Sequence, residues 1–474
     1  MKVSLPHRLA AAAMLGLLSA CSFIPVYERP VAPVAEAFPN SAPQEGRPAT
    51  ELAWQEFVTD ARMRMLVDAA LQNNRDLRVA VLNVEQARAL AGVQRADLLP
   101  TVGLGASGNR VPNGEGGVAS TYSVGFVVSA FELDLFGRVR SLSEAAAARY
   151  LASDEGRRAA QVALIAAVMN AELAVRADDE LLLVTQRTLE SREEALKLVR
   201  LRFEGGASAE PELRTAESVV ASARATVLAL QRQRAQDQNA LVLLLGQPLP
   251  AGLPPAPPLQ DVSFADLPAG VPSDVLLQRP DVRQAEQALL AANANIGAAR
   301  ANFFPRITLT GSIGTASTEL SGLFHNTAWT FAPQLVLPLF DAGRNQATLD
   351  ATQAARDIGV AQYEKTIQVA FREVADTLAG QATLGEQLAA QQALAAAETR
   401  RLELSQLLYQ GGVATLLDRL DAERAALAAR QLVVQVQLAR LQNQVLLYRV
   451  LGGGAGPGIA ADIAGTPTNA APAR

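Results

Sequence analysis

Two patterns of apolar and polar positions alternate along the chain, and each predicts a different secondary structure. Stretches rich in Ala, Leu, Gln, Arg and Glu predict helices at about 61–98 and 141–203, because these residues favour the helical backbone. The first helix is expected to stop before Pro100, since proline forces its predecessor out of the α region. Residues 102–107 and 122–130 alternate apolar with small or polar side chains, which is typical of strands.

The whole pattern occurs twice, at an offset near 205 residues. Two residues are inserted in the second copy, between Phe340 and Gly343. The matches keep their order and nearly constant spacing, which indicates a chain built from two repeats. The matching segments are 76–78 with 281–283, 95–100 with 300–305, 135–138 with 339–344, 203–206 with 409–412, and 216–217 with 422–423.

Each repeat predicts a helix, two strands, a very long helix and a return helix. The long helices are expected at about 141–203 and 345–409, and the polar hairpin connections at 109–120 and 317–327. The predicted segments are a signal peptide at 1–20, an N-terminal extended segment at 21–60, repeat 1 at 61–246 with a β-hairpin at 101–136, a Pro-rich linker at 247–272, repeat 2 at 273–451 with a β-hairpin at 306–340, and a flexible tail at 452–474.

Apolar side chains recur every seven residues in the long helices and the return helices. One such line runs from Val168 to Phe203, and another runs from Leu420 to Leu441. This spacing is typical of helices packed along their length, and a coiled coil used as a spacer would give it too. A helix over 141–203 would extend about 95 Å at 1.5 Å per residue.

The N-terminus has the form of a cleaved leader. Lys2 and Arg8 precede an apolar run, 9–18, that is too short to span a bilayer. The run ends in Leu-Ser-Ala before Cys21, and this resembles the lipobox of bacterial lipoproteins, in which that cysteine is acylated. Ser22 resembles the signal that sends such lipoproteins to the outer membrane; an ordinary secretory signal is the alternative. No later stretch has 18 uninterrupted apolar residues, which predicts a mature chain without a transmembrane helix.

Composition excludes several kinds of chemistry. The chain has two histidines and one cysteine, and removal of His7 with the leader leaves His325. A histidine cluster, a cysteine zinc site and an internal disulfide are therefore not expected, and a Ser-His-Asp triad could use only His325. A net charge of −5 gives no indication of nucleic acid binding. Abundant alanine and 5% aromatic residues suit closely packed helical walls.

Four strands are too few to close a barrel, because small membrane barrels need about eight. An open sheet edge cannot face lipid either. The strands must therefore be completed by other copies, and two copies would give eight strands whereas three would give twelve.

The lipobox, the duplicated helix–strand–strand–helix–helix plan and the Gly-Gly helix turns together resemble the TolC-like outer-membrane factors, in their lipidated, OprM-type branch. The resemblance covers essentially the whole mature chain. It implies an α+β membrane protein, in which a homotrimer forms a twelve-stranded barrel continuous with a periplasmic helical barrel. The most specific local segments are 96–100, 303–305, 136–138, 409–412 and 417–422.

The same resemblance implies the exit duct of a tripartite drug-efflux pump in the outer membrane of a Gram-negative bacterium. The expected partners are a periplasmic adaptor protein, an inner-membrane RND-type transporter and outer-membrane lipid, and no cofactor, metal, nucleic acid or catalytic residue is expected. No nucleotide-binding motif is present, so energy would come from a partner.

The resemblance also implies a gate at the periplasmic end of the tunnel. By motif position, Asp421 and Leu417 would form narrowing rings, while Asp418, Glu212 and Tyr409 would join the polar network that holds the end shut. Crowded Asp421 copies would repel one another and attract cations. Gly205, Gly206, Gly411 and Gly412 would form the helix turns and the adaptor-docking tips, and Pro100 and Pro305 the helix-to-strand junctions. Gln410 departs from the pattern, because close relatives often have a basic residue there.

Other functions remain open at this point. A duct for protein secretion or metal efflux fits the same plan, although no Met, His or Cys cluster suits soft metals. A lipid-anchored coiled-coil scaffold would explain Cys21 and the heptads, but not two hairpins at equivalent places. An enzyme is disfavoured, since no convergent acid, base and nucleophile are recognised.

Overall fold

A computed structural model describes residues 22–39, 49–112, 116–267 and 273–454. The leader and Cys21 lie outside these residues. In chain order, the first repeat contains α1 (Trp54–Phe57), α2 (Ala61–Asn73), α3 (Arg75–Ala96), β1 (Val102–Pro112), β2 (Val118–Leu133), α4 (Arg138–Glu204) and α5 (Glu210–Leu245). The second contains α6 (Pro280–Ala301), β3 (Arg306–Ser317), β4 (Thr327–Val336), α7 (Arg344–Gln410) and α8 (Leu416–Val450).

The fold agrees with the plan predicted from the sequence. Each repeat contributes two strands and one helix of 67 residues, α4 in the first and α7 in the second. The four strands, the long helices and the two repeats are thereby confirmed.

The first helical segment differs from the prediction, because the structure breaks it at Asn74. This residue has extended backbone angles, and its Oδ1 accepts a hydrogen bond from the backbone N–H of Leu77 at 2.9 Å. Its amide also donates to the carbonyl of Leu244 at 2.9 Å. Asn74 thus caps a new helix, which residue type alone permits without requiring. At the N-terminus of α2, Asp60 accepts bonds from the backbone N–H groups of Arg62 and Met63.

The four strands form one antiparallel sheet in the order β1-β2-β3-β4. Strand β2 bulges between Val128 and Phe131, and Ala130 there has a φ of 49°. Gly125 and Gly314 face each other across β2 and β3, where an added Cβ on either would collide with the opposing backbone. Close approach of these two strands therefore requires glycine.

The first hairpin connection is shorter than predicted. Strand β1 continues through Asn109 to Pro112, and β2 begins at Val118 rather than after Ser120. Cross-strand pairing extends to Pro112 opposite Val118, because the backbone ladder tolerates the polar side chains that the sequence pattern assigned to a loop.

The chain divides into two compact units. One comprises Met1–Ala32, Val81–Gly156 and Asp281–Thr366, and it contains the sheet; the other comprises Pro33–Ala80, Arg157–Pro280 and Ile367–Arg474. In the second unit, the Phe57 ring stacks on Phe264 at 4.9 Å and on Tyr448 at 4.2 Å between ring centroids. This stack joins α1 and α8 to the chain segment between the repeats.

One helix among the described residues contains a stretch apolar enough to cross a membrane. It is α4 (Arg138–Glu204), whose most apolar 18-residue window has a mean hydropathy of 1.3. The search of the sequence for 18 uninterrupted apolar residues did not detect this window, because isolated polar residues interrupt it. Since 56% of this window is buried inside the protein, packing against neighbouring helices accounts for its apolar character.

Candidate functional site

One face of the sheet is apolar and fully open. Leu104, Phe126, Ile313 and Trp329 pair in register across all four strands. Phe126 exposes 59% of its surface and Trp329 72%, and the other two are equally open. A continuous exposed row of large apolar side chains, two of them aromatic, indicates an apolar medium against this face.

The opposite face of the sheet is polar. The hydroxyls of Ser107 and Ser123 lie 2.8 Å apart, and those of Ser312 and Thr330 lie 2.7 Å apart. Because successive side chains alternate between faces, these hydroxyl pairs and the apolar row belong to one sheet with two different surroundings. Such a sheet suits an apolar medium on one face and water on the other.

Both outer strands have an unpaired edge. Within the described residues, β1 pairs with β2 alone and β4 pairs with β3 alone. Each edge presents backbone N–H and C=O groups that need partners if the sheet lies in an apolar medium.

The described N-terminal segment lies along α6 and leads to a helix-to-strand junction. Arg29 binds the Glu286 carboxylate with two hydrogen bonds, at 2.7 and 3.1 Å. Further along, the carbonyl of Phe23 accepts a bond from Arg300, and the Phe23 ring stacks on Phe304 at 4.7 Å. The chain therefore reaches the end of α6 two residues after Cys21, next to the Pro305 junction.

The two junction prolines occupy the same place in each repeat. Pro100 follows α3 and precedes β1, and Pro305 follows α6 and precedes β3. At the second junction, Phe136 also stacks on Phe304, at 4.9 Å between ring centroids.

The two Gly-Gly pairs form equivalent helix turns. Gly206 has a φ of 72° and Gly412 a φ of 74°, so the second glycine of each pair adopts the left-handed conformation that ends a helix. Gly205 and Gly411 precede them and have no such requirement, since their backbone φ is not positive.

Leu417 and Asp421 lie one helical turn apart near the start of α8. Leu417 exposes 72% of its surface. The Asp421 carboxylate pairs with Arg424 at 2.5 Å on the same helix and with Arg401 of α7 at 3.5 Å. The candidate gate carboxylate thus has two cations beside it, which the sequence interpretation did not include.

Thr415 and Asp418 together form a capping box at the start of α8. The Thr415 hydroxyl accepts a bond from the backbone N–H of Asp418 at 3.2 Å, and the Asp418 carboxylate accepts one from the backbone N–H of Thr415 at 3.0 Å. The Thr415 hydroxyl also donates to this carboxylate, and these bonds hold the pKa of Asp418 below its ordinary value.

The equivalent turn of the first repeat is built differently. Glu212 accepts a hydrogen bond from the Ser208 hydroxyl. Ala209 precedes α5 without a side-chain cap. The two tips therefore share glycines but differ in capping.

Tyr409 lies in a cluster that joins three helices. Its hydroxyl accepts a hydrogen bond from Arg202 at 3.3 Å. The guanidinium carbons of Arg202 and Arg419 lie 5.6 and 5.7 Å from the centre of its ring. Both distances are within cation–π range.

A buried ion pair beside this cluster was missed by sequence reasoning. Arg192 of α4 and Glu423 of α8 are 2.6 Å apart and nearly buried. Arg419 lies 4.0 Å from the same carboxylate, and its Nε has no hydrogen-bond partner within the described chain. The available signal was a charge beside a packed helix line. Arg192 lies three residues after Leu189 of the seven-residue apolar line, and Glu423 belongs to a segment that both repeats share.

No enzymatic or metal site emerges from the described residues. Within them, no group of three or more His, Cys, Asp or Glu side chains is placed to hold a metal ion. The expectation of no cofactor stays a prediction.

An amphipathic sheet with two open edges, in a chain that also has two helices of 67 residues, defines a membrane channel subunit. A family profile described as Outer membrane efflux protein matches residues 66–247 and 271–453, one match for each repeat. The chain therefore belongs to the outer membrane efflux protein family, whose members are outer-membrane channels and not enzymes.

Particular members of the family resemble the chain over nearly its whole length. The solvent efflux pump outer membrane protein SrpC of Pseudomonas putida is 46% identical, covering 92% of this chain and 96% of its own. The antibiotic efflux pump outer membrane protein ArpC of Pseudomonas putida is 44% identical, covering 92% and 93%. The open state of the MtrE outer membrane channel of Neisseria gonorrhoeae is 42% identical with a TM-score of 0.85, covering 92% and 99%.

Proposed function

We propose that three copies of this chain form the outer-membrane exit duct of a tripartite efflux pump that expels organic solvents and antibiotics. The observation that carries the proposal is the amphipathic sheet, whose apolar row is exposed while both its edges are unpaired within the described part of the chain. Four strands per chain make twelve in a trimer, enough to close a barrel with lipid outside and water inside.

The substrate class rests on the named relatives. SrpC belongs to a solvent pump and ArpC to an antibiotic pump, and each is more than 40% identical to this chain. A duct does not select its cargo, so an RND-type inner-membrane transporter would do so, and a periplasmic adaptor would join that transporter to the duct. The adaptor would dock at the turns that contain Gly205, Gly206, Gly411 and Gly412.

Acylation of Cys21 would anchor each copy in the inner leaflet of the outer membrane. Placement of Phe23 at the Pro305 junction supports this role, because β3 begins directly after that proline. A lipid on Cys21 would thus lie beside the first residues of the barrel strand. Labelled palmitate should enter the wild-type protein and be absent from Cys21→Ser; equal labelling of both would contradict the anchor.

The periplasmic gate would be formed by the α7–α8 turn. Asp421 and Leu417 share one helical face, so threefold symmetry would turn both into rings around the axis. The closed arrangement would be stabilised by Asp418 and Glu212 through their hydrogen bonds at the two helix turns. Tyr409 would stabilise it through its contacts with the two arginines of its cluster. The positive charges of Arg401 and Arg424 would weaken the repulsion between the Asp421 carboxylates of the three copies.

The test is complementation and reconstitution together. In a host lacking its own duct but retaining the adaptor and transporter, the chain should restore resistance to toluene and to antibiotics. Unheated detergent extracts should run as trimers, and those trimers should conduct ions in planar bilayers. Monomers that do not conduct would overturn the duct, whereas conducting trimers without restored resistance would overturn the proposed substrates.

A further inference from the structure

The first repeat buries a carboxyl group of its long helix. Asp178 of α4 exposes 7% of its surface, and its Oδ2 atom is enclosed without a hydrogen-bond partner within the described chain. An ionised carboxylate at such a place loses its hydration and gains no compensating bond, which is unfavourable. The surroundings of Asp178 therefore favour the neutral, protonated carboxyl.

A second carboxyl group faces Asp178 from the return helix. Asp237 of α5 lies within hydrogen-bonding reach of Asp178, and its Oδ2 accepts a bond from Gln233 at 3.0 Å. Two neighbouring carboxylates repel each other, whereas a carboxyl that keeps its proton can donate to a carboxylate beside it. One proton thus converts a repulsion between α4 and α5 into a hydrogen bond, and this proton belongs to the pair.

The charged groups around the pair have other partners. Arg234, one helical turn before Asp237 on α5, donates to Asp179 at 2.7 Å. Arg176 of α4 binds two other carboxylates, at 2.8 and 2.6 Å. Glu180 accepts a bond from the backbone of the segment between the repeats at 2.6 Å. Because both arginines pair with other carboxylates, a proton is needed to neutralise the carboxyl pair.

The second repeat joins the equivalent helices without a carboxyl pair. An offset of 206 carries α4 to α7, which has the same 67 residues, and carries α5 to α8. The residues equivalent to Asp178 and Asp237 are Leu384 and Asn443. The Asn443 amide donates to the carbonyl of Thr377 on α7 at 3.0 Å. The same place in the second repeat therefore has a hydrogen bond that does not depend on pH.

We propose that Asp178 and Asp237 share one proton, and that loss of this proton separates α5 from α4 at this level while the equivalent contact of α7 with α8 stays closed. The chain thus has a pH-dependent helix contact in one of its two repeats. The inference is independent of the proposed duct, and it concerns residues that the proposed gate does not use.

The direction of the change follows from the burial of the pair. When the proton leaves, two carboxylates face each other, and one of them has an enclosed oxygen without a partner. Their repulsion and the hydration of that oxygen both favour entry of water between the helices. Burial and then the Asp237 carboxyl raise the pKa of Asp178 to about 7, so the contact should open as pH rises through that value.

Amide hydrogen exchange of the full chain in detergent, followed by mass spectrometry, tests the separation. Asp178→Asn removes the titrating group and keeps an amide that can donate to Asp237. At each pH, the exchange rate of residues 230–240 in the wild type is divided by the rate in this variant. This ratio cancels the intrinsic pH dependence of exchange. It should be near one at about pH 5 and should rise severalfold by about pH 8.

Two controls accompany this measurement. Residues 436–446 of α8 are the internal control, because Asn443 does not titrate, and their ratio should stay near one over the same range. Asp376→Asn is the variant control, since it removes a carboxylate from an exposed pair with Arg372 on α7. The ratio of wild type to Asp376→Asn in residues 230–240 should not change with pH.

Infrared spectroscopy observes the proton itself. The stretching band of a protonated carboxyl should be present in the wild type at about pH 6, weaken by about pH 8, and be missing from Asp178→Asn. Should Asp178→Asn fail to fold, Asp237→Asn tests the same pair. It removes the repelling partner, so exchange read in residues 173–183 of α4 should rise with pH in the wild type relative to this variant.

Each result supports or overturns the proposal. A band that titrates together with a rising exchange ratio in α5 supports it. A band that is missing from the wild type at about pH 6 overturns the shared proton. A flat ratio in α5, or an equal rise in α8, overturns the separation of one helix pair. All these outcomes leave the duct standing, because trimer conductance and restored resistance decide that proposal separately.

Discussion

Arg192 and Glu423 join α4 of the first repeat to α8 of the second through a buried ion pair of 2.6 Å. Removal of one partner leaves a nearly buried charge without its counter-charge, which typically costs about 3–5 kcal/mol. We expect Glu423→Ala to destabilise the helix ends by about that amount and to raise amide hydrogen exchange around Tyr409. Glu193→Ala is the control, because Glu193 pairs with Arg224 at the same 2.6 Å in an exposed position. Glu193→Ala should lower stability by less than about 1 kcal/mol. A loss as large as that of Glu423→Ala would show that burial does not determine the cost.

Asp421→Ala should raise the single-channel conductance of the reconstituted trimer. The change removes a carboxylate that pairs with Arg424 and Arg401, so α7 and α8 lose a polar link where the gate is proposed. Asp376→Ala supplies the control, since its carboxylate lies 3.9 Å from Arg372 in an exposed pair on α7. Unchanged conductance in Asp421→Ala would count against the gate.

Gly412→Ala should destabilise the α7–α8 turn by about 1–2 kcal/mol, because alanine is strained in the left-handed conformation that Gly412 adopts. Gly411→Ala is the neighbouring control. A Cβ there would lie 3.5 Å from the nearest atom, an ordinary contact, and φ is not positive. The temperatures at which the two variant oligomers dissociate measure this difference. Equal decreases in both variants would show that the stability of the turn does not depend on a positive φ.

One carboxyl on α4 should contribute a loss of stability as pH rises from about 4 to about 7. Burial, followed by the neighbouring Asp237 carboxyl, raises the pKa of Asp178 from 3.8 to about 7. The folded chain therefore holds a proton that the unfolded chain has lost across this window, and raising pH favours unfolding there. Asp178→Asn should flatten this dependence in thermal melts between pH 4 and pH 8. Asp376→Asn, which alters an exposed pair with Arg372, should retain it.

The sequence predicts the elements of this fold better than their contacts. Alternation over 102–107 and 122–130 was enough to predict the first hairpin, because a sheet with two different faces imposes a period of two on its residues. The break at Asn74 was not predictable from local pattern, since it depends on a bond to Leu244, 170 residues away. The connection at 109–120 was assigned wrongly, because polar residues can extend a ladder as well as end it.

At the candidate site too, the sequence predicts individual residues better than the contacts between them. Motif position alone directed attention to Asp421 and Tyr409, but it did not reveal Arg401, Arg192 or Glu423. Those side chains come from different helices. Arg192 meets Glu423 only after the two repeats pack together, and Arg401 meets Asp421 only after α7 packs against α8, so no spacing along the chain records their proximity. The gate residues remain predictions that the conductance measurements will decide.

The open edges of the sheet have a genetic consequence. In a ring joined head to tail, every copy contributes one β4 edge and one β1 edge. A copy damaged at a single edge still joins a neighbour through the other, and the ring that contains it cannot close. Edge mutations should therefore be dominant over a wild-type allele, whereas alleles that unfold the chain altogether should be recessive.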